Sequence, residues 1–513
     1  MLLIACANVA NLMTAQAAAR AREMALRVSI GAGRWRLVQP VLVESAILAF
    51  LAAVLGGLFA WWSAPFVVSR INPPHNPAHL SLPADWRVLG FGLVLTLGVM
   101  LLFGLAPALR ASAVKPVSAF KGGEDPHSRR RLMHALIAAQ AAFCFLVLFV
   151  AGLFAATFER LSNRPTGFSA ERLLTLDTVA QRAQPPVLWE QVAEHLRAVP
   201  GVEKVALAEW PLLGGGSGNS FVSINGAPPG PVLAYFLNIS PGWIDAMKIP
   251  LIDGRDFRTS DTSLEVALVN ETFARQFFNS ERAIGKSFER GRERFRIVGL
   301  VRDAPYHNMR EPSLPVAYLP FHSIDAKGVP QPVRGGTFIV RTYSSNPLAL
   351  ASILRQEVPR ARPEFRVSNI RTQLEINQSH TVRERLLAML ALFFAVVALL
   401  LAGVGLYGVL DYSVLQRRRE IGIRMAIGAP AASIARLVTV EVFTMVLVGA
   451  LAGVTLGMAS VRYIEALLYQ VKPTGLAMLA LPSFTILAAA SLAALPAVIH
   501  AVRIDPVAML RSE

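Results

Sequence analysis

The sequence predicts a polytopic α-helical membrane protein of about seven spanning helices that carries one α/β domain on its outer side. Three observations predict it. The 513 residues are 54% hydrophobic and only 16% charged, with a mean hydropathy of +0.47, too apolar for an ordinary soluble protein. Apolar runs recur at close to the roughly 20 residues that a helix needs to cross about 30 Å of hydrocarbon. A single polar stretch of domain size, from about 159 to 384, interrupts them.

The apolar runs lie at about 1–18, 41–69, 87–109, 133–158, 385–412, 436–464 and 475–502. Basic loops are retained on the cytoplasmic side during insertion, so arginine and lysine set the direction of each crossing. Three loops are strongly basic: Arg20 to Arg36, Arg110 to Arg131, and Arg417 to Arg436. The short loops at 70–86 and 465–474 hold far fewer. Placing the basic loops inside puts the N-terminus of this chain outside, the 159–384 stretch outside and the C-terminus in the cytoplasm, with no loop in conflict. The opening MLLIACANVA lacks a basic leader and is followed by Arg20 and Arg22, which reads as a spanning segment and not as a signal peptide. The formal charge of +16 is thereby topological, and nucleic acid is not expected as a partner because no basic face with interleaved aromatics accompanies it. Cys6 and Cys144 sit within apolar runs without a local metal or disulfide partner.

The outer stretch reads as mixed α/β. Strand patterns at 173–179, 265–269, 295–301 and 337–341 stand between helical patterns at 187–198 and 348–357. His195, His307, His322 and His380 lack metal-ligand spacing and are read as solvated or packing residues. Gly285-Lys286-Ser287 looks like the end of a phosphate loop, but position 280 is Ser where that motif needs Gly, so it is read as a turn. Gly403-Val404-Gly405-Leu406-Tyr407-Gly408 matches a dinucleotide fingerprint but falls inside a spanning run, where small residues serve close helix packing. No catalytic residues, no metal site and no cofactor in this chain are expected, and the chain is not expected to be an enzyme.

An internal repeat is the most informative feature. REMALRVSIGA, from Arg22, recurs at one constant offset as REIGIRMAIGA, from Arg419, and the same offset carries Glu44 onto Glu441. Each copy predicts a short cytoplasmic amphipathic helix. Glu23 stands four residues before Arg27, as Glu420 does before Arg424, the favourable order for a helical ion pair. Met24 with Val28, and Ile421 with Met425, give a narrow apolar stripe, and Gly31 and Gly428 supply the helix stops. Such a helix suits either a groove in a soluble partner or a layer of headgroups. Glu44 and Glu441 are acids inside apolar helices near the cytoplasmic end, in reach of Arg36 and Arg436, and are read as structural interface groups, with a substrate role as the alternative. Asn8 and Asn11 are read as interhelical hydrogen-bond groups.

The block AREMALRVSIGAGRWRLVQPVLVESAILAF and its copy QRRREIGIRMAIGAPAASIARLVTVEVF resemble the ATPase-coupling region of MacB/FtsX-type ABC transporter permeases. IDGRDF at 252–257, VALVNETFARQFF at 266–278, IGKSF at 284–288 and RIVGLVRDAPY at 296–306 resemble the periplasmic core domain of that family. The duplication resembles the fused permeases of acidobacteria. The resemblance implies a bacterial inner-membrane location and a division into a three-helix FtsX-like domain of a first, truncated repeat (1–110), a basic cytoplasmic linker (111–132), a transmembrane helix opening the second repeat (133–158), a MacB-like periplasmic core domain (159–384) and a second three-helix FtsX-like domain (385–513). The first helix and periplasmic domain of the first repeat are then missing from this chain. It also implies that Arg22, Glu23, Arg27 and Gly31, with Arg419, Glu420, Arg424 and Gly428, form the coupling helices that receive an ABC ATPase subunit, which binds the ATP. A periplasmic adaptor or a second permease chain are the further candidate partners beside the bilayer. The implied function is mechanotransmission for export or extraction of a substrate; the alternative is a regulator that switches a periplasmic enzyme such as a cell-wall hydrolase.

Overall fold

The computed structural model describes residues 34–71, 126–263, 265–279, 282–321 and 329–503, together with Asn8 and single positions between 86 and 98. The chain divides into two compact units, one holding the long helices and the other holding residues 159–383. Two long helices come first, α1 (Arg34–Ile71) and α2 (Pro126–Ser162). Apart from the single positions named, the apolar runs expected at 1–18 and 87–109 lie outside the described residues.

The second unit is built on one continuous sheet. Its elements are β1 (Leu173–Gln184), α3 (Pro186–Arg197), β2 (Val202–Ala208), β3 (Gly218–Phe221), β4 (Ser223–Ile224), β5 (Leu233–Ile239), α4 (Trp243–Met247), β6 (Leu251–Gly254), β7 (Val266–Asn270), α5 (Glu271–Phe278), β8 (Ser287–Arg290), β9 (Glu293–Val301), β10 (Val316–Pro320), β11 (Val333–Thr342), α6 (Ala351–Ala361), β12 (Phe365–Thr372) and α7 (Gln373–Ser379). The main path runs β12-β1-β11-β2-β5-β10-β7-β9-β8-β4, with β3 on β5 and β6 on β9. Two pairs are parallel, β10 with β5 and β7 with β9; the rest are antiparallel. The strand and helix patterns read from the sequence fall on β1, β7, β9, β11, α3 and α6.

Two cores form on this sheet. At the β12 end, Trp189, Val192, Ala193 and Leu196 lie one helical turn apart and bury one stripe of α3. The Trp189 ring meets those of Phe321, Phe338 and Phe365 at 5.8, 5.8 and 4.7 Å between centroids. At the other end, α5 buries Phe273 and Phe278 against Phe288, Phe295, Ile297 and Leu319.

The helical unit resumes with α8 (Val382–Gln416), α9 (Arg418–Ala426), α10 (Ala431–Ile464) and α11 (Leu476–Val502). Among the described residues, five segments are long and apolar enough to cross a bilayer: Ala46–Val67, Met133–Ser162, Val382–Gln416, Val442–Leu467 and Leu476–Val502. Each falls on an expected run. The fold is a multi-helix membrane protein with one mixed α/β domain. α2 is the central rod: Phe145, Phe149 and Leu153 are buried with Leu410, Val446, Ala490 and Ala497. α1 instead exposes Leu55, Trp61 and Trp62, the surface of a helix solvated by lipid. Its Phe59 ring stacks on Phe393 of α8 at 6.1 Å, which joins the first copy of the repeat to the second.

Candidate functional site

The short helix α9 is built by its own sequence. Glu420 and Arg424 form the expected pair at 2.7 Å with about half of each side chain exposed, so the pair contributes only a few tenths of a kcal/mol. The helix ends in a closed C-cap. Gly428, at φ +93°, donates from its N–H to the Met425 carbonyl at 3.0 Å, and Ala429 donates to the Arg424 carbonyl at 3.0 Å. Pro430 then caps α10, so Ile-Gly-Ala-Pro turns the chain from one helix into the next within a few residues. The apolar stripe is used within the chain: Ile421 and Met425 pack on Val414 of α8, Ile434 of α10 and Ala501 of α11. One turn along, Asp411 and His500 meet at 3.2 Å, a link between α8 and α11 that sequence reasoning missed. The outward face of α9 carries Glu420, Arg424, Ile423 and the largely exposed Ile427.

Of the residues assigned to coupling, Glu420 and Arg424 are brought together, and Gly428 sits at the stop. Arg419 belongs to α9, with its side chain outside the described residues, as is that of Glu441 in α10. Arg22, Glu23, Arg27 and Gly31 lie outside the described residues, as does Asn11. Glu44 is half-buried on α1.

Two features hold the bundle to which α9 is fixed. The first is a polar knot: Asn8 donates to the Leu401 carbonyl, and Gln140 donates to Asn8 Oδ1 at 2.9 Å and to the same carbonyl at 3.3 Å. Asn8 is thereby the interhelical group expected. Gly405 leaves room for it, since a Cβ there would lie 1.9 Å from Asn8 Oδ1. The fingerprint-like glycine run is therefore a packing feature of α8. The second is a stripe at Gly449, Gly453 and Gly457 on α10 that seats α2. A Cβ at these positions would meet the Ala138 carbonyl at 2.4 Å, Phe145 Cβ at 2.5 Å and the Phe149 ring at 3.0 Å. Its four-residue spacing, Gly449-Gly453-Gly457, is the signal in the sequence that marks it.

In the sheet domain the motifs that carry the resemblance are folding devices. Asn270 of VALVNETF is fully buried: its Oδ1 accepts from Phe273 N and Val316 N, each at 2.9 Å, and its Nδ2 donates to the Leu314 carbonyl at 2.8 Å. One side chain caps α5 and ties β7 to β10. Asp303 of RIVGLVRDAPY accepts from Thr272 N at 2.9 Å and Thr272 Oγ1 at 2.7 Å. Tyr306 donates to the Phe236 carbonyl at 2.6 Å and accepts from Gly218 N at 3.2 Å, and burial pushes its phenol up to about 12. Gly285 of IGKSF turns at φ +84° into β8, with its N–H on the Ile297 carbonyl at 2.8 Å, so the phosphate-loop resemblance ends in a turn. His195 pairs with Glu357 at 2.8 Å, His307 packs edge-on to Tyr306, and His380 contacts the Leu213 carbonyl at 2.8 Å. His322 lies outside the described residues.

IDGRDF supplies an ion pair and a pH dependence. Arg255 grips the buried Asp261 with two nitrogens, and its guanidinium holds that carboxyl below the usual carboxylate range. A depressed folded value stabilises above the unfolded aspartate value of about 3.9, and the contribution is lost as pH falls through the folded one. Burial raises neighbouring Asp256, which works in the opposite sense, favouring the fold at low pH and fading as pH rises. Arg255→Gln is therefore expected to lower domain stability at pH 7 and to shrink the loss on acidification below pH ~3.5. Urea titrations of both proteins at the two pH values check it, and equal acid sensitivity would remove the assignment.

The FtsX-like permease C-terminal family model matches residues 1–116 and 392–506, and the MacB-like periplasmic core domain model matches residues 133–355. The macrolide export ATP-binding/permease protein MacB 1/2 of Paracoccus denitrificans is 26% identical over 223 residues, 43% of this chain and 33% of that protein. The macrolide export ATP-binding/permease protein MacB of Marinobacter nauticus is 26% identical over 228 residues, 43% of this chain and 35% of that protein. The periplasmic region of MacB from Actinobacillus actinomycetemcomitans aligns with a TM-score of 0.31 and 15% identity, covering 43% of this chain and 96% of that structure. The chain spans about a third of the length of the full relatives it matches. With FtsX-like segments on both sides of a MacB-like periplasmic core domain, the chain belongs to the MacB/FtsX-type ABC transporter permeases.

Proposed function

We propose that this chain is the membrane-spanning subunit of an ATP-driven export or extraction machine, in which a separate ABC ATPase drives a periplasmic domain through mechanotransmission. The observation that carries the reading is α9, whose apolar side is fixed to three membrane helices while its charged side and Ile427 face outward. A docked partner that shifted this helix would displace α8, α10 and α11 together. α8 continues outward from there: α7, which opens with a full Thr372–Glu375 capping box, ends three residues before it. Stiff helices with few internal ionisable groups suit transmission of force better than a solute path. The N-terminus of this chain outside and the C-terminus inside complete the proposal, and the export named for the macrolide relatives makes efflux the working substrate class.

The test is co-purification of the full chain with an ABC ATPase subunit from the same cells. Arg27→Glu combined with Arg424→Glu is expected to cut association and permease-stimulated ATP hydrolysis by ~10-fold or more, the loss of two close charge pairs at a docking surface. Unchanged association would remove docking at these helices, and Arg424 labelled from the outer face would reverse the proposed orientation.

A further inference from the structure

The segment that follows α2 and the helix that precedes α8 border an open polar cleft within the sheet domain. It measures about 480 Å³, inside the range of small-ligand pockets, and its lining includes Arg164, Phe168, Glu171, Leu374, Asn377 and Gln378. Arg164 brings a guanidinium, held through the carbonyls of Met309 and Glu311, the latter at 2.8 Å. Glu171 brings a carboxylate on an exposed residue whose backbone carbonyl is fixed by Arg341 at 3.1 Å. Asn377 and Gln378 add amides, and Phe168 and Leu374 add an apolar wall. The lining thus carries one full charge of each sign, hydrogen-bonding groups and a hydrophobic edge.

Chain continuity fixes the depth of this cleft. Ser162 is the last residue of one apolar span and Thr381 immediately precedes another, so its walls emerge from the bilayer at the headgroup layer. We propose that the cleft binds the headgroup of a zwitterionic phospholipid with a primary amine, phosphatidylethanolamine. Arg164 takes the phosphate, and Glu171 with Gln378 takes the ammonium. A guanidinium pairs with phosphate oxygens in a planar fork, while a primary ammonium offers three donors that a choline headgroup lacks. The apolar edge of Phe168 and Leu374 receives the glycerol end. A lipid so held bridges the two roots of the sheet domain and stiffens the passage from span to domain. The inference rests on the membrane-spanning reading of α2 and α8 and is independent of ATPase docking.

The experiment places the full chain in nanodiscs of phosphatidylglycerol and replaces half of that lipid with phosphatidylethanolamine or phosphatidylcholine. Amide exchange is read at 162–171 and 374–381. Phosphatidylethanolamine is expected to slow both segments several-fold and phosphatidylcholine much less. Glu171→Lys is expected to abolish the slowing by the amine lipid and leave exchange at the rate seen in phosphatidylglycerol alone; Gln378→Leu is expected to weaken the slowing. Unchanged exchange at 337–342 in both variants shows that the fold is intact. Equal protection by phosphatidylethanolamine and phosphatidylcholine, or protection by phosphatidylethanolamine that survives Glu171→Lys, overturns the proposal. Protection by soluble glycerophosphoethanolamine equal to that of the lipid overturns the membrane source.

Discussion

Arg341→Met is expected to destabilise the sheet domain by ~3–5 kcal/mol, the order of cost when three buried carbonyls lose their donor. Arg341 lies in β11 with no exposed surface, and its partners are all backbone carbonyls: Ala246 at 2.6 Å, Ser169 at 3.0 Å and Glu171 at 3.1 Å. Burial pulls the guanidinium below the ordinary arginine value, yet an arginine keeps its charge in any protein, so the site is held by hydrogen bonds and not by neutralisation. Methionine fills much of the stem volume and leaves three carbonyls without donors, each costing about 1–3 kcal/mol when buried. Arg341→Lys is expected to recover only part, because one ammonium cannot serve three acceptors spread in a plane. Amide exchange across β1 and β11 reads the result: acceleration of ~100-fold or more for methionine, and less for lysine. Exchange in the methionine variant matching the parent would mean that these carbonyls are satisfied otherwise.

The same residue shows where a sequence stops being legible. In Thr337 to Arg341 the β-branched and aromatic run of a strand is plain, but nothing distinguishes Arg341 from any solvated end-of-strand arginine, because its acceptors lie about 95 and 170 residues away. Asn270 is a similar case. Its role as the cap of α5 is local and follows from Asn before a helical run, whereas its bond to Val316 depends on β10 lying beside β7. The parallel pairing of β5 with β10, strands some 80 residues apart, was equally hidden. What could be read was local or repeated. Spans follow from hydropathy, and α9 follows from an ion pair, an apolar stripe and a Gly stop that occur twice. The family motifs were visible as patterns without their meaning, since the bonds of Asn270, Asp303 and Tyr306 reach strands and loops far away in the sequence.

The helix contact that fixes α2 in the bundle yields the second large effect, expected at Gly453→Leu. Lipid offers no hydrophobic drive for one helix to leave it for another, so α2 and α10 are held together by close fit. At Gly453 a Cβ would already stand 2.5 Å from Phe145 Cβ and 2.8 Å from the Ala142 carbonyl, and backbone cannot step aside as a flexible side chain can. A leucine must therefore push the helices apart, undoing contacts along Phe145 and Phe149 as well as its own. Overpacking costs about 1–3 kcal/mol in cores that can adjust, and this site has less room to adjust. Gly403→Leu is the matched control, because nothing lies within 4 Å of a Cβ there. In detergent, the Gly453 variant is expected to lose folded protein at a temperature ~10 °C or more below the parent, a shift of a few kcal/mol, while the Gly403 variant stays within a few degrees. If leucine at 453 leaves the melting temperature unchanged, α2 is not seated on the glycine stripe.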